Sequence, residues 1–202
     1  MSGSWRRRLA EVADLVVWST LMKEPTLAAG RLVCIDGPAG SGKSSLADAV
    51  HQVATEHGTV ELVHLDDLLD GWRGLPSVSD TLDRDVLDPL REGRPGRYHR
   101  YDWHQGRFAE EVTVPPADLL VVEGVGSGSR SHASSVTTLV WVEAPRELCL
   151  ARGLARDGEA MRPEWEQWTA DEEEHFRRER TRERADMLVD GTGEADRAVV
   201  LG

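Results

Sequence analysis

A glycine-rich segment in the first quarter of the chain has the residue types and the spacing of a phosphate-binding loop. It fits the pattern G-x-x-x-x-G-K-[ST] and comprises Gly37, Pro38, Ala39, Gly40, Ser41, Gly42, Lys43, Ser44 and Ser45. Glycines permit positive φ angles and close approach of the backbone, so consecutive amides can point towards phosphate oxygens. Lys43 would reach the β- and γ-phosphates, and the Ser44 hydroxyl would bind Mg²⁺. The segment therefore predicts a site for a nucleoside triphosphate.

Carboxylates stand near the ends of two apolar runs. Glu123 ends "LLVVE", where a carboxylate beside the loop can hold Mg²⁺ or its water ligands. Asp66 and Asp67 follow "VHL", and a kinase of small molecules needs a carboxylate to accept the proton of the acceptor hydroxyl. We assign Asp66 as this base. The alternatives are that Glu123 is an ordinary strand-end acid and that the two aspartates cap the next turn.

Two arginines, Arg152 and Arg156, are spaced four apart in "LARGLARDG" and therefore share one face of a predicted helix. Arg162 follows in the next loop. Arginines placed there can neutralise charge on a transferring phosphoryl group, as a closing lid does. Most charges in 171–184 are interpreted as the solvated face of a long helix. The aromatic residues of that helix are interpreted as packing groups: Trp165, Trp168 and Phe176.

The elements that must position these groups alternate along the chain. Short apolar runs predict strands at 31–36, 60–66, 118–124, 137–144, 187–190 and 198–201. Helical spacing predicts helices at 43–57, 80–93, 144–158 and 163–186. This alternation predicts an α/β fold, a three-layer sandwich with a mostly parallel sheet, helices on both faces and a small helical lid. Ligands of such sheets gather at the carboxyl ends of the strands, where the loop, Asp66 and Glu123 all fall.

Length and composition favour one domain over 1–202, with a lid and following helix at about 152–184. The chain has 36 acidic and 24 basic residues and a formal net charge of −12, which argues against a duplex nucleic-acid partner. No apolar run approaches the roughly 20 residues of a membrane span. Cys34 and Cys149 lie in apolar runs and are interpreted as buried thiols.

The first 30 residues predict a helical extension rather than a targeting signal. Arginines precede apolar residues there, but Glu11 and Asp14 interrupt the apolar stretch and no small-residue cleavage site follows. An amphipathic helix accounts for the pattern, with one face formed by Trp5, Leu9, Val12 and Val16. We expect a cytoplasmic protein, in which this helix serves for packing or for homodimer formation.

The segments described so far resemble P-loop small-molecule kinases, and most of all the uridine kinase-like family. Four segments carry the match over roughly 31–190: the loop at 37–45, "DDLL" at 66–69, "YDWHQGR" at 101–107 and "VVEG" at 121–124. The segment "IDGPAGSGKS" is also similar to that of cytidylate kinase. The segment "ARGLARD" resembles the family's lid.

This resemblance implies ATP as the donor, Mg²⁺ as the metal, Asp66 as the base and Glu123 at the metal. It implies that Arg152 and Arg156 contact phosphates. It also implies an acceptor site formed by Tyr101 and its neighbours, among which His104 and Arg107 are candidate contacts. The sequence departs from the family pattern at Leu69, where the family has a tyrosine, and in the earlier position of the histidine after Tyr101.

The predicted function is therefore phosphoryl transfer from ATP to a hydroxyl of a small metabolite, with a nucleoside as the first candidate. A nucleoside monophosphate or another small alcohol are alternative acceptors. A monophosphate would suit the arginines near the presumed acceptor segment: Arg94, Arg97, Arg100 and Arg107. A different class is a nucleotide-dependent switch that has no metabolite acceptor.

Overall fold

The computed structural model describes the backbone of residues 3–193 and 199–201 and the side chains of residues 9–193. The strands are β1 (Arg31–Asp36), β2 (Val60–His64), β3 (Gly96–Asp102), β4 (Arg107–Val114), β5 (Leu119–Glu123), β6 (Thr138–Glu143), β7 (Met187–Asp190) and β8 (Val199–Leu201). The α-helices are α1 (Gly3–Leu21), α2 (Lys43–Ala54), α3 (Leu75–Leu82), α4 (Asp88–Arg91), α5 (Arg146–Asp157), α6 (Arg162–Glu179) and α7 (Thr181–Arg184). A π-helical turn at Asp83–Leu87 joins α3 to α4.

The main sheet has the strand order β2-β5-β1-β6-β7-β8 in the described part of the chain. The first five of these strands are parallel, and β8 pairs antiparallel with β7 at one edge. The central strand β1 lies between β5 and β6, with Val33 opposite Val121 and Ile35 opposite Val140. Strands buried on both faces read as continuous apolar runs, which is why the sequence identified them. The predicted α/β sandwich is confirmed.

Two apolar clusters cover the two faces of this sheet. On one face, α1 and α2 pack on the sheet through residues that include Val16, Leu46 and Val50. The other face is covered by the segment from Leu65 to Leu90 and by Trp168 of α6. Cys34 and Cys149 are buried free thiols, as predicted.

The N-terminal extension is helical, as predicted. Val12 and Val16 of α1 are buried and Leu9 is half-buried, whereas the side chain of Trp5 lies outside the described residues. The helix is joined to the sheet by the Thr20 hydroxyl, which donates a hydrogen bond to Thr138 Oγ1 at 2.8 Å. Within the described residues, no helix is both long and apolar enough to cross a membrane.

Several predicted boundaries were wrong, and one sheet was missed. The helix expected at 43–57 ends at Ala54, and the strand expected at 60–66 ends at His64 before a 3₁₀ turn at Leu65–Asp67. The long helix expected at 163–186 ends at Glu179, because Arg180 adopts a left-handed conformation with φ 53°. The hairpin of β3 and β4 forms a separate two-stranded sheet.

Candidate active site

The phosphate-binding loop connects β1 to α2 at the carboxyl edge of the sheet. Its glycines Gly37, Gly40 and Gly42 all have positive φ angles, from 81° to 139°. At Gly40 a β-carbon would lie 2.4 Å from the Cys149 carbonyl oxygen, whereas at Gly42 it would meet no atom closer than 3.8 Å. Gly40 is therefore required for packing against α5, and Gly42 for the left-handed turn that begins α2. Such a loop fits the triphosphate of a nucleotide.

The loop buries two of its polar side chains, those of Ser41 and Lys43. Lys43 is buried, and its ammonium group donates to the Pro38 carbonyl oxygen at 2.9 Å. Ser41 is buried, Ser45 is half-buried and Ser44 is exposed on the first turn of α2. Lys43 therefore lies within the loop that it was predicted to serve.

Asp36 is a buried aspartate that the sequence analysis missed, and it bonds the first residue of the phosphate-binding loop. Asp36, at the end of β1, is fully buried and accepts hydrogen bonds from the amides of Gly37, Gly126 and Gly128 at 2.8–3.0 Å. Burial raises the pKa of Asp36, while these amides and Lys43 oppose the rise. Asp36 thus joins the start of the phosphate-binding loop to the segment that follows β5. Its place at the carboxyl end of an apolar run, directly before Gly37, was the signal that the sequence offered.

The predicted metal ligands lie together. The Ser44 hydroxyl donates to Glu123 Oε1 at 3.1 Å, and His64 Nδ1 lies 2.7 Å from the same oxygen. The hydrogen bond to Glu123 raises the pKa of His64. A hydroxyl and a carboxylate at the mouth of a phosphate-binding loop fit Mg²⁺, which prefers oxygen ligands and retains phosphate oxygens and water as the others. Ser44 and Glu123 would hold this ion.

The predicted base stands beside a second carboxylate. Asp66 and Asp67 occupy the 3₁₀ turn that follows β2, and both line a cavity that we call the main cavity. The surrounding protein raises the pKa of Asp66, the negative charge of Glu123 raises it further, and Lys43 and Arg156 lower it. By its accessible surface, however, the Asp66 side chain is exposed, and it lines the cavity. An accessible carboxylate with a raised pKa suits a general base.

This cavity has a volume of about 540 Å³, within the range of small-molecule sites. It extends from the phosphate-binding loop to the β3–β4 hairpin, and its lining is Ala39, Asp66, Asp67, Leu69, Trp72, Trp103, His104, Arg156, Asp157, Met161, Trp165 and Trp168. Trp72 contacts three other tryptophan rings edge-to-face, with centroid distances of 5.6–6.1 Å. The indole N–H of Trp103 donates to the Asp66 carbonyl oxygen at 3.1 Å, which ties the hairpin to the predicted base.

The two predicted arginines have different positions. Arg156 lines the cavity, forms an ion pair with Asp157 at 2.7 Å and lies 5.7 Å from the centre of the Trp165 ring. Arg152 instead donates to the carbonyl oxygens of Gly40 and Ser41, at 3.1 and 3.4 Å. Arg156 thus faces the acceptor side of the cavity, whereas Arg152 supports the phosphate-binding loop from α5.

A second missed residue is Glu172 of α6, which is only 5% exposed. Its Oε2 accepts hydrogen bonds from the Ala39 amide at 2.9 Å and from the Trp168 indole at 3.1 Å. Burial raises the pKa of Glu172 to about 7. A signal was present in the sequence, because positions 165, 168 and 172 follow helical spacing and share one face of α6.

The acceptor-side residues implied by the family resemblance are only partly brought together. His104 lines the cavity and is exposed. Tyr101 is buried in β3, with its ring against Trp103 and Phe108, and is not among the lining residues. Arg107 is exposed and donates to the Gln105 side chain at 2.7 Å. Tyr101 therefore supports the wall of the cavity from behind.

Comparisons with known proteins concern the fold. The chain is similar to a solved structure from Bacillus stearothermophilus described as "a possible uridine kinase", with 18% identity, TM-score 0.66, and coverage of 88% of this chain and 97% of that one. It is also similar to a Silicibacter protein described as a "putative fructose transport system kinase" (19% identity, TM-score 0.64, coverage 88% and 94%). A third is D-glycerate 3-kinase from Cryptococcus neoformans (14% identity, TM-score 0.55, coverage 96% and 99%).

No protein-family model matches the sequence, and no curated protein matches it. The likeness to these solved structures extends over most of each chain, and their descriptions name three different kinases. The predicted resemblance is thereby confirmed at the level of the fold, and the chain has the α/β fold of uridine kinase-like P-loop kinases.

Proposed function

We propose that this protein is an ATP-dependent phosphotransferase that phosphorylates a hydroxyl group of a small metabolite. One observation carries the proposal: a single cavity is lined both by Ala39 of the phosphate-binding loop and by the exposed carboxylate of Asp66. A donor phosphate and an acceptor hydroxyl could meet there with no protein segment between them. A nucleotide-dependent switch needs the loop but has no use for this second half of the cavity.

In the proposed reaction, the loop amides and Lys43 hold the phosphates of ATP. Mg²⁺ bound by Ser44 and Glu123 would neutralise charge that develops on the transferring group. Asp66 accepts the proton of the acceptor hydroxyl as its oxygen attacks the γ-phosphorus, and ADP leaves. Arg156 supplies positive charge from the lid side of the cavity.

A nucleoside remains the first candidate for the acceptor, on the strength of the family resemblance. The tryptophans of the cavity would offer stacking faces to a base, and Trp72 provides an aromatic wall near Leu69, where the family has a tyrosine. A nucleoside monophosphate is less well supported. Of the four arginines that favoured it, Arg94, Arg97 and Arg100 pair with glutamates, Arg107 bonds Gln105, and none lines the cavity.

The experiment is a coupled assay of ADP release with Mg²⁺, ATP and a panel of nucleosides, nucleoside monophosphates, sugars and aminoalcohols. We expect one acceptor class to stimulate release well above the acceptor-free rate. The Lys43→Ala variant should lose this rate by about 10³-fold or more, because Lys43 stabilises charge in the transition state. Slow ATP hydrolysis that no acceptor stimulates would favour the switch instead. Near-normal turnover by Lys43→Ala would refute the role of the loop.

A further inference from the structure

Glu172 places a carboxylate on the phosphate-binding loop itself. Ala39, whose amide bonds Glu172, is the third residue of the loop and the one loop residue among the lining of the main cavity. The acceptor carboxylate Asp66 lines the same cavity. Ala39 is thus the loop residue nearest the acceptor, where we expect the terminal phosphate of a triphosphate, and its amide is directed at Glu172, which borders a smaller cleft beside α5. A diphosphate lacks this terminal phosphate.

The charged groups around Glu172 come from four elements. Lys43 of α2 attracts the carboxylate, and Asp36 of β1 repels it. From α5, the Cys149 thiol is near enough for Glu172 to raise the pKa of that thiol, and Arg146 borders a small cleft that Cys149 and Glu172 also line. Arg146 is already paired with Glu173, the neighbour on α6, at 2.6 Å. Lys43 is thus the main positive group available to Glu172, and the phosphates would also require it.

An ionised Glu172 and a terminal phosphate would repel each other beside Ala39 and would compete for Lys43. Withdrawal of an ionised Glu172 from the loop would break both hydrogen bonds to its Oε2, from the Ala39 amide and from the Trp168 indole, and would leave a buried carboxylate without them. Protonation requires no such movement, because burial already raises the pKa of Glu172 to about 7. The neutral acid keeps one oxygen for the Ala39 amide and gains an O–H donor.

We propose that Glu172 takes up a proton from solvent when a nucleoside triphosphate binds, so that its carboxyl O–H faces the terminal phosphate. ATP binding is then linked to proton uptake, whereas ADP binding is not. Glu172 becomes a residue that distinguishes the two nucleotides by the charge next to Ala39. This inference rests on the proposed function, because it requires a nucleotide in the loop.

The test is isothermal titration calorimetry of ATP and ADP, with Mg²⁺ and without acceptor, at several pH values and in buffers of different ionisation enthalpy. Between pH 6.5 and 8.5, the ATP affinity of the wild type should fall by roughly 10- to 30-fold more than the ATP affinity of Glu172→Gln. ADP affinity should differ by less than about twofold between the two proteins. Glu173→Gln, on the same helix but exposed and facing Arg146, is the matched control and should behave as the wild type.

The dependence of the binding enthalpy on the ionisation enthalpy of the buffer gives the number of protons taken up. This number can be measured on the wild type alone, so the test does not depend on whether Glu172→Gln folds. Uptake of up to one proton above pH 7 with ATP, and not with ADP, supports the proposal. Equal proton counts for ATP and ADP, or parallel pH profiles in the wild type and Glu172→Gln, overturn it while leaving the kinase function intact. If neither nucleotide binds the wild type at any pH, both proposals fall together.

Discussion

The burial of Glu172 also makes the stability of the fold depend on pH. In the folded protein the pKa of Glu172 is about 7, compared with 4.5 for an unperturbed glutamate. Between these values the folded state holds a proton that the unfolded state has lost, so stability falls as pH rises from 4.5 to 7. The shift corresponds to about 3 kcal/mol at full ionisation, at 1.36 kcal/mol for each pKa unit. Glu172→Gln removes this cost and keeps an oxygen to accept the Ala39 amide.

The assay is urea unfolding of the wild type, Glu172→Gln and Glu173→Gln at pH values from 5 to 8.5. Glu172→Gln should be close to the wild type at the lowest pH and more stable by about 3 kcal/mol at pH 8 and above. Glu173→Gln should follow the wild type throughout, because Glu173 is exposed. A stability difference between Glu172→Gln and the wild type that stays constant from pH 5 to 8.5 would refute the reasoning.

Three further changes test the site. Asp66→Asn should leave ATP affinity nearly unchanged and lower the transfer rate by about 10²- to 10⁴-fold, and Asp67→Asn, measured in the same kinetic assay, should cost far less. Gly40→Ala should destabilise the fold by more than about 3 kcal/mol, since its β-carbon would lie 2.4 Å from the Cys149 carbonyl oxygen at a φ of +81°; an unchanged melting temperature contradicts this. Trp103→Phe should lose the hydrogen bond to Asp66 and about 1 kcal/mol in kcat/KM, and unaltered kinetics would remove Trp103 from a positioning role.

The sequence predicted the parts of the structure that follow strong local rules. The central strands could be identified because β1 and β5 are buried on both faces and are therefore apolar throughout. The phosphate-binding loop could be identified because its conformation requires glycines at fixed positions. Asp66 and Glu123 were found because parallel strands bring their carboxyl ends to one edge of the sheet.

The rest depends on contacts between segments that are distant in the chain. The β3–β4 hairpin was missed because arginine, histidine and glutamate occupy many of its positions, so the two-residue alternation of a half-buried strand is obscured. Glu172 was grouped with the solvated charges of 171–184, although its spacing from Trp168 places it on the buried face of α6. The spacing does not say which distant loop that face will contact. Tyr101 was expected at the acceptor, but the ring of Trp103 lies between the hairpin core and Asp66.

The position of Trp72 gives the molecule an optical property of its own. Trp72 touches Trp103 of the hairpin and Trp165 and Trp168 of α6, so three separate segments meet at one indole ring. Indoles at such short range couple their electronic transitions and exchange excitation energy. The near-ultraviolet circular dichroism should therefore carry a strong contribution from this group, and a rotation of either α6 or the hairpin would change its sign or intensity without any added label.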